Sequence, residues 1–335
     1  LFNSVVSHDG LSRQFIMYVP TNYNSDIEYP LMINFHGFGG TASDFVETAD
    51  MRSLAENENF IIVYPQGTLL GGFPHWNSSA PSSDNKSSVD DLGFVEKMIE
   101  NISSTYSINE KRVYAAGYSN GGFLSYYLAC NSKKFAAIGS VAGTMIDDSY
   151  QNCNAQVPTA MINIHGTNDE VVLYNGDSYG STSITDVVNW WKNFNSCFNE
   201  DIITNQNGSI EQQIYFDDSG NAYVQHIKIN NGGHYWSDKL DFNGKTAAFF
   251  GCGDQIGYPA NFLDAIGMLA EPFMKKGGKL IGRIARDNYQ FEGSRALDKD
   301  DKLMGLGLDY DNDDEQTCED YMIEWLEDIL DEFPG

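Results

Sequence analysis

Cationic side chains are scarce in this sequence: 20 lysines and arginines stand against 47 aspartates and glutamates, for a net charge of -27. That balance excludes a nucleic-acid partner, because phosphate backbones need a basic face. The plain reading of the surplus is solubility. Long apolar runs are also missing; no stretch of about 18 apolar residues exists, so no membrane association is expected. Cysteine is sparse, at five in 335 residues, too few for a disulfide scaffold. Cys130, Cys153, Cys197, Cys252 and Cys318 make an odd set, which leaves at least one thiol unpaired. The first residues, Leu1-Phe2-Asn3-Ser4, are neither a basic nor an apolar leader. Either an export signal has been removed or none existed. The length suits one large domain or two smaller ones.

What is present is organised around Val113 to Gly122. A short apolar run ends in Gly117-Tyr118-Ser119-Asn120-Gly121 and opens into a helical pattern through Ala129. This is the strand–turn–helix context of a nucleophile elbow, with Ser119 lifted clear of the sheet. The Asn120 N–H, at the helix start, is placed to stabilise an oxyanion. A second Gly-x-Ser-x-Gly, at Gly176 to Gly180, lacks the Gly-Gly continuation. No strand-end carboxylate lies between its Ser178 and the next histidine that could serve as a base.

Strands are expected at 12–20, 29–35, 60–65, 135–143, 159–164, 212–216 and 222–229. Helices are expected from about Ser88, with Leu92, Val95, Met98, Ile99 and Ile102 on one face, and over Asp186 to Phe194. This alternation predicts an α/β fold with a mostly parallel sheet covered on both faces. The strand at 29–35 runs into His36-Gly37-Phe38-Gly39-Gly40, and the one at 159–164 into His165-Gly166-Thr167-Asn168-Asp169. The last run is followed by Gly232-Gly233-His234.

A serine hydroxyl needs a histidine to take its proton, and that histidine needs a carboxylate to fix its tautomer. Ser119, Asp169 and His234 follow the chain order of the hydrolase sheet, each just past a strand. Taken singly, Asp169 reads as a turn former and His234 as a loop histidine. His165 and His36 read as packed, loop-shaping residues.

Together these motifs, with Val89-Asp90-Asp91-Leu92-Gly93-Phe94 and Gly232 to Trp236, resemble the secreted esterases that include polyhydroxybutyrate depolymerases, feruloyl esterases and acetylxylan esterases. The likeness spans roughly residues 5–237. It implies an α/β-hydrolase fold, Ser119 as nucleophile, Asp169 as orienter and His234 as base. It also implies backbone oxyanion donors at Phe38 and Asn120, and a disulfide between Cys130 and Cys153. Cys197 resembles a cysteine whose usual partner is missing before His234. Trp76 and Trp236, with Phe38, are candidates for the substrate pocket; loop or core packing is the competing reading of each. The resemblance implies no metal and no cofactor. The expected substrate is a feruloyl or acetyl ester on plant polysaccharide, with a polyhydroxyalkanoate as the alternative; a peptidase shares the triad.

From Asp241 the text departs from that family and resembles the C-terminal half of a long-chain flavodoxin. The matching stretches are 241–245, Phe250 to Gln255, Tyr258, Tyr289 to Ser294 and Gly305 to Asp309. An esterase domain over 1–240 and a flavodoxin-like segment over 241–335 are therefore expected. Elements are expected at 245–250, 260–275, 279–284, 302–308 and 318–332. Tyr258 resembles the tyrosine that stacks on a flavin, but the phosphate-gripping loop is missing, so no tight FMN binding is expected. The competing function is an FMN-binding or electron-transfer module. A half sheet exposes an edge strand and an apolar face, which must dock, pair with another copy or stay poorly ordered. The join at Asp-Phe-Asn suits either an accidental or engineered fusion or a natural accessory segment. The esterase part suggests export or a periplasmic location; the flavodoxin-like part suggests a reducing compartment.

Overall fold

The computed structural model describes all residues except 81–86, 179, 205–207, 237–245, 276–277, 331 and 333–335, and the side chains of 268, 272, 275 and 288. It divides into two compact units, Leu1–Asp238 and Lys239–Gly335. Among the described residues, no helix is long and apolar enough to cross a membrane.

The strands of the first unit are β1 (Phe2–His8), β2 (Leu11–Tyr18), β3 (Tyr29–Phe35), β4 (Ile61–Pro65), β5 (Thr68–Leu70), β6 (Phe73–His75) and β7 (Ile108–Tyr118). They continue with β8 (Ala137–Val141), β9 (Ala160–Gly166), β10 (Asn199–Thr204), β11 (Ile210–Phe216) and β12 (Ala222–Ile229). The helices are α1 (Ala42–Thr48), α2 (Arg52–Glu58), α3 (Asp91–Ser103), α4 (Asn120–Asn131), α5 (Asp147–Gln151) and α6 (Ile184–Phe194).

Ten strands form one sheet in the order β1-β2-β4-β3-β7-β8-β9-β12-β11-β10. The six central strands are parallel, and both margins are antiparallel. Sequence patterning explains the difference. Every residue of β4 and all but Met32 of β3 are buried, as strands covered on both faces require. Towards the margin, β2 alternates, with Arg13, Phe15 and Met17 inward. At the far edge every residue of β10 is exposed. The apolar face of α3 buries Phe94, Val95, Met98, Ile99 and Ile102. The side chain of Asp90 caps it by accepting from the Gly93 N–H at 2.9 Å.

Successive connections run opposite ways from β3, to β4 on one side and β7 on the other. The carboxyl ends of β3 and β7 therefore flank a switch point, where open α/β sheets bind ligands. β1, β10 and the β5–β6 hairpin lie outside the strands expected from the sequence, and β7 starts at Ile108, ahead of the apolar run at Val113. The start of β7 carries Asn109-Glu110-Lys111-Arg112, a charged and largely exposed stretch with no apolar signal.

In the second unit, β13 (Thr246–Ala247) and β14 (Phe250–Cys252) are followed by α7 (Asp264–Lys275), β15 (Lys279–Leu280), β16 (Ile284–Ala285), β17 (Lys302–Leu303), β18 (Leu306–Leu308) and α8 (Glu315–Leu330). The strand β13 pairs in parallel with β15, and β14 pairs in parallel with β18. Leu280 lies in a cluster with Phe262, Ile266 and Ala270, while Ile281 packs with Trp325 and Ile329. Successive residues point to opposite faces, so α7 covers one and α8 the other. The expected strands at 279–284 and 302–308 are each broken into short pieces, and the helices begin at Asp264 and Glu315. The matched stretch 241–245 lies outside the described residues.

Candidate active site

The turn between β7 and α4 holds Ser119 at φ 51° and ψ -118°, a conformation unfavourable for a side-chain-bearing residue. Close packing fixes the flanking glycines. A Cβ on Gly117 would lie 2.2 Å from the Gly121 carbonyl carbon, and one on Gly121 would lie 2.3 Å from the Phe35 oxygen. The Ser119 N–H is spent on the Val141 oxygen of the neighbouring strand, at 2.8 Å. The next amide, that of Asn120, opens the helix and has no partner within it.

The loops after β9 and β12 are fastened together. The Thr167 N–H donates to the Ile229 oxygen and the Asn168 N–H to the Gly232 oxygen, both at 2.9 Å. This brings Asp169 and His234 together, 65 residues apart in sequence. The His234 Nδ1 lies 2.8 Å from Asp169 Oδ2, and its Nε2 lies 3.0 Å from Ser119 Oγ. The Tyr118 hydroxyl donates to the His234 carbonyl at 3.0 Å. Asp169 is buried, and its Oδ1 accepts from the N–H groups of Val171 and Val172 at 2.9 and 2.8 Å. Burial pushes this carboxyl up; the hydrogen bonds from His234, Val172 and Val171 outweigh it and hold it below the ordinary value.

A second imidazole, missed as part of this cluster, stands on the other side. The buried His165 donates from Nε2 to the Val172 oxygen at 2.8 Å, with Asp169 Oδ2 at 3.3 Å. Burial lowers its pKa and keeps it neutral. Its strand-end position was legible; its contact with Asp169 was not.

The loop after β3 is braced from beneath. His36 Nε2 accepts from the Gly67 N–H at 3.0 Å, and the Gly39 N–H donates to the Pro74 oxygen at 2.8 Å. The Asn120 side chain grips the Trp76 backbone twice. Its Oδ1 accepts from the Trp76 N–H at 2.7 Å, and its Nδ2 donates to the Trp76 oxygen at 2.9 Å. The indole N–H in turn donates to the His36 oxygen at 2.9 Å. Trp76 is only 2% exposed, packed against Phe35 and His36. The expectation that it lines the pocket is corrected: it supports the loop from within. Phe38 is exposed and lies against Phe73. Trp236 is half-buried, edge-on to Phe45 and Tyr118.

Behind Trp76, Asp91 accepts from the Asn77 N–H at 2.7 Å and from Arg13 Nη2 at 2.6 Å. Both partners of this ion pair are buried. Burial raises the Asp91 pKa, against the pull of Arg13. The one signal for Arg13 was a lone cation in register with inward Phe15 and Met17. Cys130 and Cys153 are joined in a disulfide, while Cys197 and Cys318 are buried thiols and Cys252 is exposed. Ser178 sits on an exposed loop, and the His234 imidazole faces Ser119 instead.

A family model described as Phospholipase/Carboxylesterase matches residues 22–200, more than half of the chain. The chain belongs to the phospholipase/carboxylesterase family. Among curated relatives, feruloyl esterase B of Piromyces equi is 27% identical over 245 residues, covering 68% of this chain and 43% of that protein. Over the C-terminal part, a flavodoxin of Nostoc sp. is 47% identical across 96 residues, 29% of this chain and 55% of that protein. The chain thus spans about half the length of the curated relatives it matches. Among solved structures, an acetyl xylan esterase from Aspergillus awamori aligns with a TM-score of 0.51 at 17% identity. It covers 70% of this chain and 94% of that one, a likeness of fold.

Proposed function

We propose that this phospholipase/carboxylesterase family member is a serine esterase working through an acyl-enzyme. The observation that carries the reading is the His234 ring bridging Ser119 Oγ and Asp169 Oδ2 at 3.0 and 2.8 Å. Asp169 holds the proton on Nδ1, which leaves Nε2 free to take the Ser119 proton as Oγ attacks the ester carbonyl. The oxyanion then forms against the Asn120 N–H and the N–H of Phe38. Because the Ser119 amide is committed to Val141, the elbow offers Asn120 and the second donor comes from the β3 loop. His234 returns its proton to the leaving alcohol. Water then attacks the acyl carbonyl as Nε2 takes its proton, and the proton passes to Ser119 Oγ as the C–Oγ bond breaks and the acid leaves.

The substrate reading is a feruloyl or acetyl ester carried on plant polysaccharide, with a polyhydroxyalkanoate as the alternative. The names of the Piromyces and Aspergillus relatives support the former. Export suits both the substrate and the Cys130–Cys153 bridge. The flavodoxin-like unit takes no part in the chemistry and holds no flavin in this reading, so the purified protein is colourless.

The test compares the protein with Ser119→Ala on 4-nitrophenyl acetate, methyl ferulate, a polyester film and a peptide amide. Hydrolysis of the small esters by the parent alone is expected. Full activity in the alanine variant would end the proposal.

A further inference from the structure

A concave surface between the loops that follow β8 and β9 belongs to none of the groups described above. A shallow, open depression of about 510 Å³ is lined by Asp147, Tyr150, Gln151, Asn175, Ser178 and Asp186, among others. It shares Tyr150 and Asp186 with a neighbouring hollow of about 330 Å³, walled by Asn189, Trp190, Asn193 and Phe194. Together they make one furrow between α5, residues 175–178 and 181–183, and the exposed side of α6.

Its walls grow out of the candidate active site. The segment after β8 passes beside the elbow: a Cβ on Gly143 would lie 2.8 Å from the backbone carbonyl oxygen of Ser119. Four residues later that segment starts α5. The opposite wall is the continuation of the loop that begins at Asp169. Hydrogen bonds stitch the two walls together. The Thr182 N–H donates to the Met145 oxygen at 2.9 Å, the Asp147 N–H to the Gly180 oxygen at 2.8 Å, and Thr144 Oγ1 to the Thr182 oxygen at 2.7 Å. The furrow is therefore preformed, and a ligand need not order it.

Its chemistry is selective. The lining is carboxylate, amide, hydroxyl and aromatic ring, with no lysine or arginine among the lining residues. An anionic polymer is repelled by Asp147, Asp177 and Asp186. A polyester, with few donors to offer, would leave these acceptors without partners. Asp147 Oδ1 is oriented by Thr182 Oγ1 at 2.8 Å and Asp186 Oδ2 by Ser183 Oγ at 2.7 Å. Each carboxylate still has acceptor capacity towards the furrow. Beside them, Trp190 and Phe194 stack at 14° with centroids 5.3 Å apart, and both are partly buried against the core with an edge left open. A chain of neutral sugar rings has what this surface needs: hydroxyl donors at the ring edges and apolar C–H faces for the aromatic wall. We infer that the furrow is a binding site for a neutral polysaccharide chain, which carries its ester side group to Ser119. The inference rests on the serine-esterase reading for the role of the bound chain. It also gives Ser178, the second Gly-x-Ser-x-Gly serine, a place in the furrow wall.

The test uses the whole chain and neutral arabinoxylan. In affinity gel electrophoresis, Ser119→Ala is expected to be retarded by the polysaccharide, and Ser119→Ala with Trp190→Ala is not. Trp190 also touches the core, so the exposed Asn189→Ala and Asn193→Ala provide a second pair with unchanged thermal midpoints. With active protein, these variants should raise KM on feruloylated arabinoxylan at least ten-fold and leave kcat/KM on methyl ferulate unaltered. Equal KM values on the polymer in all variants, with methyl ferulate still cleaved, would overturn the furrow and spare the esterase. If no small ester is cleaved, the esterase reading fails, and the gel retardation alone decides the furrow. Retardation unaffected by every furrow variant overturns it in that case too.

Discussion

Replacing Asp169 by asparagine isolates what the carboxylate does. The amide keeps the size of the group, and its oxygen can still accept from the Val171 and Val172 N–H groups at 2.9 and 2.8 Å. Its NH2 then occupies the Oδ2 position, 2.8 Å from His234 Nδ1 and 3.3 Å from the His165 Nε2–H, which is already a donor to Val172. Two donors cannot satisfy each other, so His234 must turn its lone pair to Nδ1 and carry its proton on Nε2. That proton faces Ser119 Oγ at 3.0 Å, and the base can no longer accept. A tautomer error of this kind costs about 10⁴-fold in kcat in Ser-His-Asp enzymes, or roughly 5.5 kcal/mol of barrier. The assay is steady-state hydrolysis of 4-nitrophenyl acetate at pH 7.5, with KM expected to change little. A loss below ten-fold in a variant with the parent's thermal midpoint would falsify the orienting role.

Three further outcomes are expected. Arg13→Met strips the partner from a buried carboxylate and should cost about 3–5 kcal/mol in urea unfolding, with part regained in Arg13→Met/Asp91→Leu. His226 is buried, and its Nε2 accepts from the Tyr174 hydroxyl at 2.8 Å. Burial lowers its pKa from 6.5 to about 4, so between those values the unfolded chain takes up a proton that the folded one refuses. Its contribution is complete above pH 6.5 and falls by roughly 3 kcal/mol towards pH 4, measurable as a urea midpoint that drops less steeply in His226→Gln. A protein ending at residue 240 should cleave small esters at the parent's rate; an insoluble or inactive product would show that the second unit is needed.

The central sheet was readable because its strands are unbroken apolar runs ending in glycine-rich turns, and the turns carry Ser119, Asp169 and His234. Chain order, the strand–turn–helix context and the Gly-Gly continuation together ranked Ser119 over Ser178. What stayed hidden was side-chain traffic across the sheet. Trp76 looked like a pocket aromatic, since no local pattern says that its N–H finds the His36 carbonyl 40 residues away. Asp91 read as one acid among the first turn of a helix, and its pairing with Arg13 spans 78 residues. Marginal strands such as β10 escaped because a fully exposed strand has no alternation to detect.

The Cys130–Cys153 bridge joins the helix launched by Ser119 to the residue just beyond α5. It therefore tethers the segment leaving α5 to the far end of α4, eleven residues beyond Ser119, rather than stapling two remote ends of the fold. A reductant that cleaves it leaves that furrow wall held by its hydrogen bonds to the loop at 180–182, while those within the Ser119–His234–Asp169 group do not depend on it. On the proposed furrow reading, thiol-rich surroundings would weaken polysaccharide binding before they silenced turnover of a small acyl ester.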